Sequence, residues 1–547
     1  MAASDQPSGT TSAGMSREEA QPRFARASSG LVRELSIADT AAFGILATGA
    51  VYGVLYLFPT PQGVSTGINI PVMLILGFLF SLLVYYVYAQ LGAAMPRAGG
   101  DYLYESRALT PAIGFVVPWA CQLLFWLVFP SLGAYGVSTL GLVPIADTLG
   151  LDGVSSFLLE KDGIFLVSVI FVILGYLLTV FGLALFRKIQ KYVLIPVLAV
   201  AVITIYGLLL ANLGTDFTAK FNAFHAADGI TVAGVERAAA EAGFDGASFN
   251  LGNTLIWIAV MAGVLPYTMY AAQGLMGEVR QDGNARKLFG AFAVPGFIVA
   301  IVMMAIPFAL LTSIVGSRFL DDYAVAFING GIAPAYVPNF SVFLSMLTTS
   351  DVVIILISLG FIVGSFGIGY AVFINASRVM MGMSLDGALP KFFSDVSPRY
   401  HTPVKAITLW SAVALGVAAL FAYRPSAQLT VLIGGVVTSA LVVGVTCLAA
   451  AFFPTRAREI FQSATRSGNR MLGTPALVAA GALGAAIVAA LIYVALTFDE
   501  LGLTSADSRV VIIGAFVTGI AFYIGWRLYK RSQGVDTTLA YRYVPPE

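Results

Sequence analysis

Apolar stretches of about 20 residues recur from one end of this chain to the other, and that recurrence limits its folding more than any other feature. They fall at about 37–58, 69–94, 112–138, 163–185, 192–212 and 252–275, then at about 288–313, 350–376, 403–423, 429–453, 474–497 and 509–530. A helix of roughly 20 residues crosses the ~30 Å hydrocarbon core of a bilayer. Lipid offers the backbone no hydrogen-bond partner, so a spanning segment must be a helix or part of a closed barrel. The runs lack the strict in–out alternation of barrel strands, which predicts an all-helical integral membrane protein with about 12 spans. Charge agrees: 11% of the 547 residues are charged, against roughly 25% in soluble domains. The length therefore represents one membrane domain with short tails and not several soluble domains.

The net charge of +1 leaves no basic excess for nucleic acid, so the expected partners are the bilayer and a small-molecule substrate. The positions of the charges set the orientation. Of the 30 Lys and Arg residues, all but Lys161, Lys220, Arg237, Arg318, Arg424 and Arg509 fall in the N-tail, the C-tail or alternate connections. Because cytoplasmic loops retain positive charge, both termini are expected in the cytoplasm, with the protein in a cytoplasmic membrane. Connections 213–251 and 314–349 should then face outward, as caps over the mouth or as ordinary packed loops. Residues 1–35 are polar and lack the apolar core of a signal peptide, and read as a disordered tail. Cys121 and Cys447 lie inside apolar runs and read as core residues. His225 and His401 fall in expected loops and read as solvated.

Two spans are interrupted. The first passes through Phe43-Gly44 to Thr48-Gly49-Ala50-Val51-Tyr52-Gly53, and the sixth through Gly263-Val264-Leu265-Pro266-Tyr267-Thr268-Met269-Tyr270. Matched breaks in two halves of a transporter mark a midplane binding site, where freed N–H and C=O groups hold a solute's charged ends. Close helix packing through small residues is the competing explanation. The substrate-binding candidates are Thr48, Gly49, Ala50, Tyr52, Gly53, Pro266, Tyr267, Thr268 and Tyr270. Trp119, Trp126, Trp257 and Tyr370 could also line a pocket or gate, although such residues are more often core or lipid-facing.

After the second run comes Met95-Pro96-Arg97-Ala98-Gly99-Gly100-Asp101-Tyr102-Leu103-Tyr104-Glu105-Ser106-Arg107. This turn resembles that of the amino acid, polyamine and organocation permease superfamily. Phe186-Arg187-Lys188-Ile189-Gln190-Lys191, Gly277-Glu278-Val279-Arg280, and Ser377-Arg378 through Asp386-Gly387-Ala388-Leu389-Pro390 with Thr402-Pro403 resemble it in the same order. The resemblance implies two inverted five-helix repeats (residues 36–213 and 252–453, separated by loop 214–251), then helices eleven and twelve (454–531) and a cytoplasmic tail (532–547). It also implies alternating access around the broken first and sixth helices.

The chain departs from that family at informative positions. Val51-Tyr52-Gly53 stands where many members have Gly-Ser-Gly, and Tyr270 aligns with an acidic residue of arginine and agmatine carriers. Pro196 or Val197 stands near the lysine of some proton-coupled members. Ser358 and Ser365 are the candidate ion ligands, and the coupling ion, H+ or Na+, stays open. Glu278 at a helix C-terminus opposes the dipole and calls for a cation, Arg97 or Arg378, with which it would form an inner gate. No nucleotide-binding loop, metal-ligand cluster or cofactor motif is present. A secondary transporter of a neutral or zwitterionic solute such as an amino acid is the leading expectation. The alternatives are a binding-only receptor, a membrane-embedded enzyme, or a carrier of polyamines or other organic cations.

Overall fold

The computed structural model describes residues 30–48, 58–246, 248–262, 265–280, 284–466, 471–498, 505–535 and 537–542. The described residues form a bundle of helices, and ten of these are long and apolar enough to cross a membrane. They are Ile70–Ala94, Pro111–Thr148, Lys161–Val180, Leu183–Ala211, Ala285–Val315, Asp351–Leu385, Val404–Tyr423, Thr430–Arg456, Thr474–Thr497 and Ala506–Ser532. Each overlaps one of the expected runs. The first and sixth runs account for the other two. Helix Ile37–Ala47 has only 11 residues, and helix Leu251–Ala262 has 12, followed by a 3-10 turn at Leu265–Met269 and a short helix at Tyr270–Gly274. Among the described residues, these two runs are the ones without a helix long enough to cross, and residues 49–57 and 263–264 within them lie outside the described residues.

The packing order explains which spans are central. The eighth span (Asp351–Leu385) packs on the third (Pro111–Thr148), the fifth (Leu183–Ala211) and the first helix, and the seventh (Ala285–Val315) packs on the second and the first. The eleventh and twelfth spans are only 28% and 17% buried along their most apolar window, which places them at the periphery. Their outward faces carry exposed Tyr493, Val510 and Ile513, as a lipid-facing surface requires.

Three local features differ from the expectations. Phe186 to Lys191 does not form a connection: the chain turns at Gly182, whose φ of +92° suits glycine, and the fifth span starts at Leu183. His225 is fully buried and not solvated. Helices Phe217–Phe224 and Ser317–Ile328 close over it, and its ring sits between Asp228 (2.8 Å) and the Tyr323 hydroxyl (3.3 Å). His401 is exposed, as expected. The connections that hold these helices are thus packed, with helix Val232–Glu241 seated on Ser317–Ile328. Thirdly, the turn after the second span folds inward. Its helix Gly100–Ala108 is buried at every residue, so Asp101, Glu105 and Arg107 enter an interior whose spans carry little charge. Cys121 and Cys447 are buried and free.

Candidate functional site

The break in the sixth span presses directly on the first helix. A side chain at Gly44 would place its Cβ 2.5 Å from the Thr268 carbonyl oxygen, so only glycine allows this approach. Thr48, one turn later, is buried and donates its hydroxyl to the Gly44 carbonyl. Gly49, Ala50, Tyr52 and Gly53 lie outside the described residues, as do Gly263 and Val264.

Pro266 removes an N–H from the sixth span and prevents a continuous helix. The carbonyls exposed by the break are held by other helices. Tyr85 on the second span donates to the Leu265 carbonyl at 2.8 Å, and the Asn375 amide on the eighth donates to that of Tyr270 at 3.3 Å. The Thr268 hydroxyl donates to Phe292 of the seventh span at 2.9 Å. The irregular backbone is therefore clamped by three neighbours, which satisfies its polar groups away from water.

Aromatic rings surround the clamp. Tyr267 and Tyr270 meet edge to face at 5.2 Å, Phe125 of the third span stacks on Tyr267 at 4.9 Å, and Phe43 of the first helix stacks on Tyr270 at 6.5 Å. Phe186 bridges Phe43 to Tyr370, with centroids 6.2 and 4.0 Å away. Within this shell, the Tyr270 hydroxyl, the Trp126 indole nitrogen and the Asn375 carbonyl oxygen are buried and face one another without making a close hydrogen bond. Buried polar atoms are normally paired closely, so a loosely paired polar cluster beside a helix break suits a polar ligand.

Arg378 of the eighth span meets Glu278 in a two-pronged ion pair, Nε to Oε2 at 3.1 Å and Nη2 to Oε1 at 3.0 Å, with both side chains buried. Leu35, just before the first helix, exchanges backbone bonds with Glu278 and Arg280 on either side of Val279. Arg33 donates to the carbonyls of Val279 and Pro96. Of the two cations considered for Glu278, Arg378 makes the pair, whereas the Arg97 guanidinium donates to the Pro96 carbonyl.

The remaining candidates are dispersed. Ser358 and Ser365 are buried on one helix, seven residues and so roughly 10 Å apart along its axis, and are not brought together. Trp257 bonds Ser65, and Trp119 stacks on Phe115 and Phe522 near the twelfth span. Both belong to packing away from the break. The sequence had not pointed to Tyr85, Phe125 or Asn375. Nothing in an apolar run distinguishes the residue that faces a break from one that faces lipid.

No group of His, Cys, Asp and Glu among the described residues could hold a metal ion. A family model described as amino acid permease matches residues 40–522. No curated protein matches the chain. That match covers most of the chain and both broken spans, and the protein belongs to the amino acid permease family, a membrane transporter and not an enzyme.

Proposed function

We propose that this permease is a secondary active transporter of a small neutral or zwitterionic solute, most simply an amino acid, that works by alternating access. The observation that carries this reading is the loosely paired polar cluster of Tyr270 Oη, Trp126 Nε1 and Asn375 Oδ1, enclosed by rings where the first helix meets the broken sixth. A zwitterion offers both donors and acceptors to such atoms, and the helix ends at the breaks supply partial charge of each sign. The interruption of the sixth span and the matching glycine-rich sequence of the first run also support an inverted-repeat architecture with repeats at 36–213 and 252–453. The sealed Glu278–Arg378 face would be the inner gate in its closed state. The charge distribution supports placing that face and both termini in the cytoplasm, and the protein in the cytoplasmic membrane.

The test is uptake by proteoliposomes of a labelled panel of neutral amino acids, with arginine, agmatine and putrescine as cationic comparators. Thermal stabilisation of the purified protein by each solute provides the binding measurement. Flux of neutral amino acids above the cations supports the proposal. Faster flux of the cations would replace it with an organic-cation carrier, and stabilisation without flux would point to a receptor.

A further inference from the structure

Asp101 and Glu105 stand one turn apart on the inward-folded helix Gly100–Ala108, and both are fully buried. Thr446 of the tenth span lies between them. Its hydroxyl oxygen is 3.2 Å from Asp101 Oδ1 and 3.1 Å from Glu105 Oε1. A hydroxyl carries one hydrogen and can donate fully to only one of them. The other carboxyl completes its bond by donating to the hydroxyl oxygen, for which it must carry a proton. Thr446 is ten residues, or about 15 Å, before the end of its helix at Arg456, so the pair lies inside the bundle and not at its surface.

No cation among the described neighbours neutralises the pair. The groups facing it are Tyr88, Tyr104, Cys121, Tyr267, Tyr270 and Cys447, phenols and thiols that are neutral near pH 7. Arg107, on the same helix, is bound to Asp386 at 2.5 Å, with Tyr102 also donating to that carboxylate. Two buried carboxylates without countercharge would cost several kcal/mol each. Burial accordingly pushes Asp101 up to about 7, and burial together with the Asp101 charge pushes Glu105 well above the usual carboxyl range. Asp101 Oδ2, Glu105 Oε2, the Tyr88 hydroxyl and both amide atoms of Gln273 are buried and make no close hydrogen bond, although Tyr88 and Gln273 are within reach of Asp101. Gln273 and Tyr88, both fully buried, face Asp101 as hydrogen-bonding groups that partly offset the effect of burial.

The cluster is joined to the broken sixth span. Gly100 has a φ of +38°, and a Cβ there would lie 1.8 Å from the Gln273 carbonyl oxygen. The Tyr104 hydroxyl donates to the Ala272 carbonyl at 2.8 Å. Gln273 follows Tyr270 by three residues, so a shift of the segment at the break displaces groups facing Asp101. Resting on the reading of this protein as a secondary transporter, we propose that Asp101 and Glu105, bridged by Thr446, bind the proton whose movement is coupled to that of the solute. In the dry, closed arrangement one carboxyl keeps its O–H. When the bundle opens to water, that O–H bond breaks, the proton passes to water, and the doubly charged pair is hydrated until a proton from the opposite side restores the acid. No redox partner is involved. A sodium site would gather these oxygens around one centre, whereas here Thr446 meets each carboxyl at hydrogen-bond distance.

Infrared difference spectroscopy of the purified protein reads the site without requiring transport. A protonated-carboxyl C=O band should titrate near pH 7, lose one component in Asp101→Asn and the other in Glu105→Gln, disappear in the double variant, and shift its midpoint in Thr446→Val, which keeps both acids and nearly the same volume. In proteoliposomes, an inward proton gradient should stimulate neutral amino acid uptake by the wild type. Glu105→Gln should retain solute-for-solute exchange and lose that stimulation. Absence of the band between about pH 5 and 8 overturns the proposal. So does full proton stimulation in Glu105→Gln and Asp101→Asn, or uptake driven by sodium that both variants abolish. A wild type with the band but no flux of any solute overturns the permease reading and the coupling, while leaving the proton site supported.

Discussion

Glu278→Gln should open the closed face of this permease by a calculable amount. Arg378 is fully buried and its guanidinium is committed to Glu278 through two bonds of 3.1 and 3.0 Å, with a third from Nη1 to the Ser377 hydroxyl. Glutamine retains one acceptor oxygen but no charge, so Arg378 becomes an uncompensated buried cation. Breaking a buried pair from one side costs about 3–5 kcal/mol. At about 1.4 kcal/mol per factor of ten, the closed arrangement loses roughly two to nearly four orders of magnitude relative to one in which Arg378 reaches water. The assay is alkylation of a single cysteine at Ala376, fully buried and two residues from Arg378, in a background with Cys121 and Cys447 replaced by alanine. Labelling should accelerate strongly in Glu278→Gln. It should return toward the parental rate in Glu278→Gln/Arg378→Met, because replacing both partners removes the stranded charge. An unchanged labelling rate in the single variant, or an equally fast rate in the double variant, would refute the gate argument.

Gly44→Val should abolish solute flux while the protein still reaches the membrane, since its Cβ would lie 2.5 Å from the Thr268 carbonyl and force the first helix off the break; normal flux would show that this contact is dispensable. At the opposite end, Asp321 lines a cavity of about 360 Å³, and burial followed by the Asp322 charge raises its carboxyl from 3.8 to about 7. A folded-state pKa raised in this way adds stability that is complete below about 4 and is lost as pH rises through about 7. Asp321→Asn should therefore flatten the decline in melting temperature over that window, and an unaltered profile would remove Asp321 as its cause. Cysteines at Ala226 and Ile332 should react with an impermeant thiol reagent added outside intact cells, and labelling only after lysis would reverse the orientation.

The apolar runs made the helical class, the span positions and the interruption of the sixth span legible in the sequence. A residue's transfer free energy and a proline's missing N–H are local properties that act wherever the residue sits. Pro266 accordingly marked the 3-10 turn at Leu265–Met269, whereas the glycine-rich segment 49–53 of the first run lies outside the described residues. The need of Glu278 for a cation was also visible from its place at a helix end, but the choice of Arg378 over Arg97 was not. One hundred residues separate Glu278 from Arg378, and only the packing of the eighth span against the sixth brings them together.

The tertiary structure alone decided which polar residues were taken out of water. His225 lies in a loop by sequence and is buried because two distant helices close over it. Asp101 and Glu105 lie outside every apolar run, yet they reach the interior because Gly100 lets the turn abut Gln273. Hydropathy scores a residue by its neighbours along the chain. The free energy of a charge depends on its neighbours in space, and for this acid pair those are Thr446, Tyr88 and Gln273, drawn from three other helices.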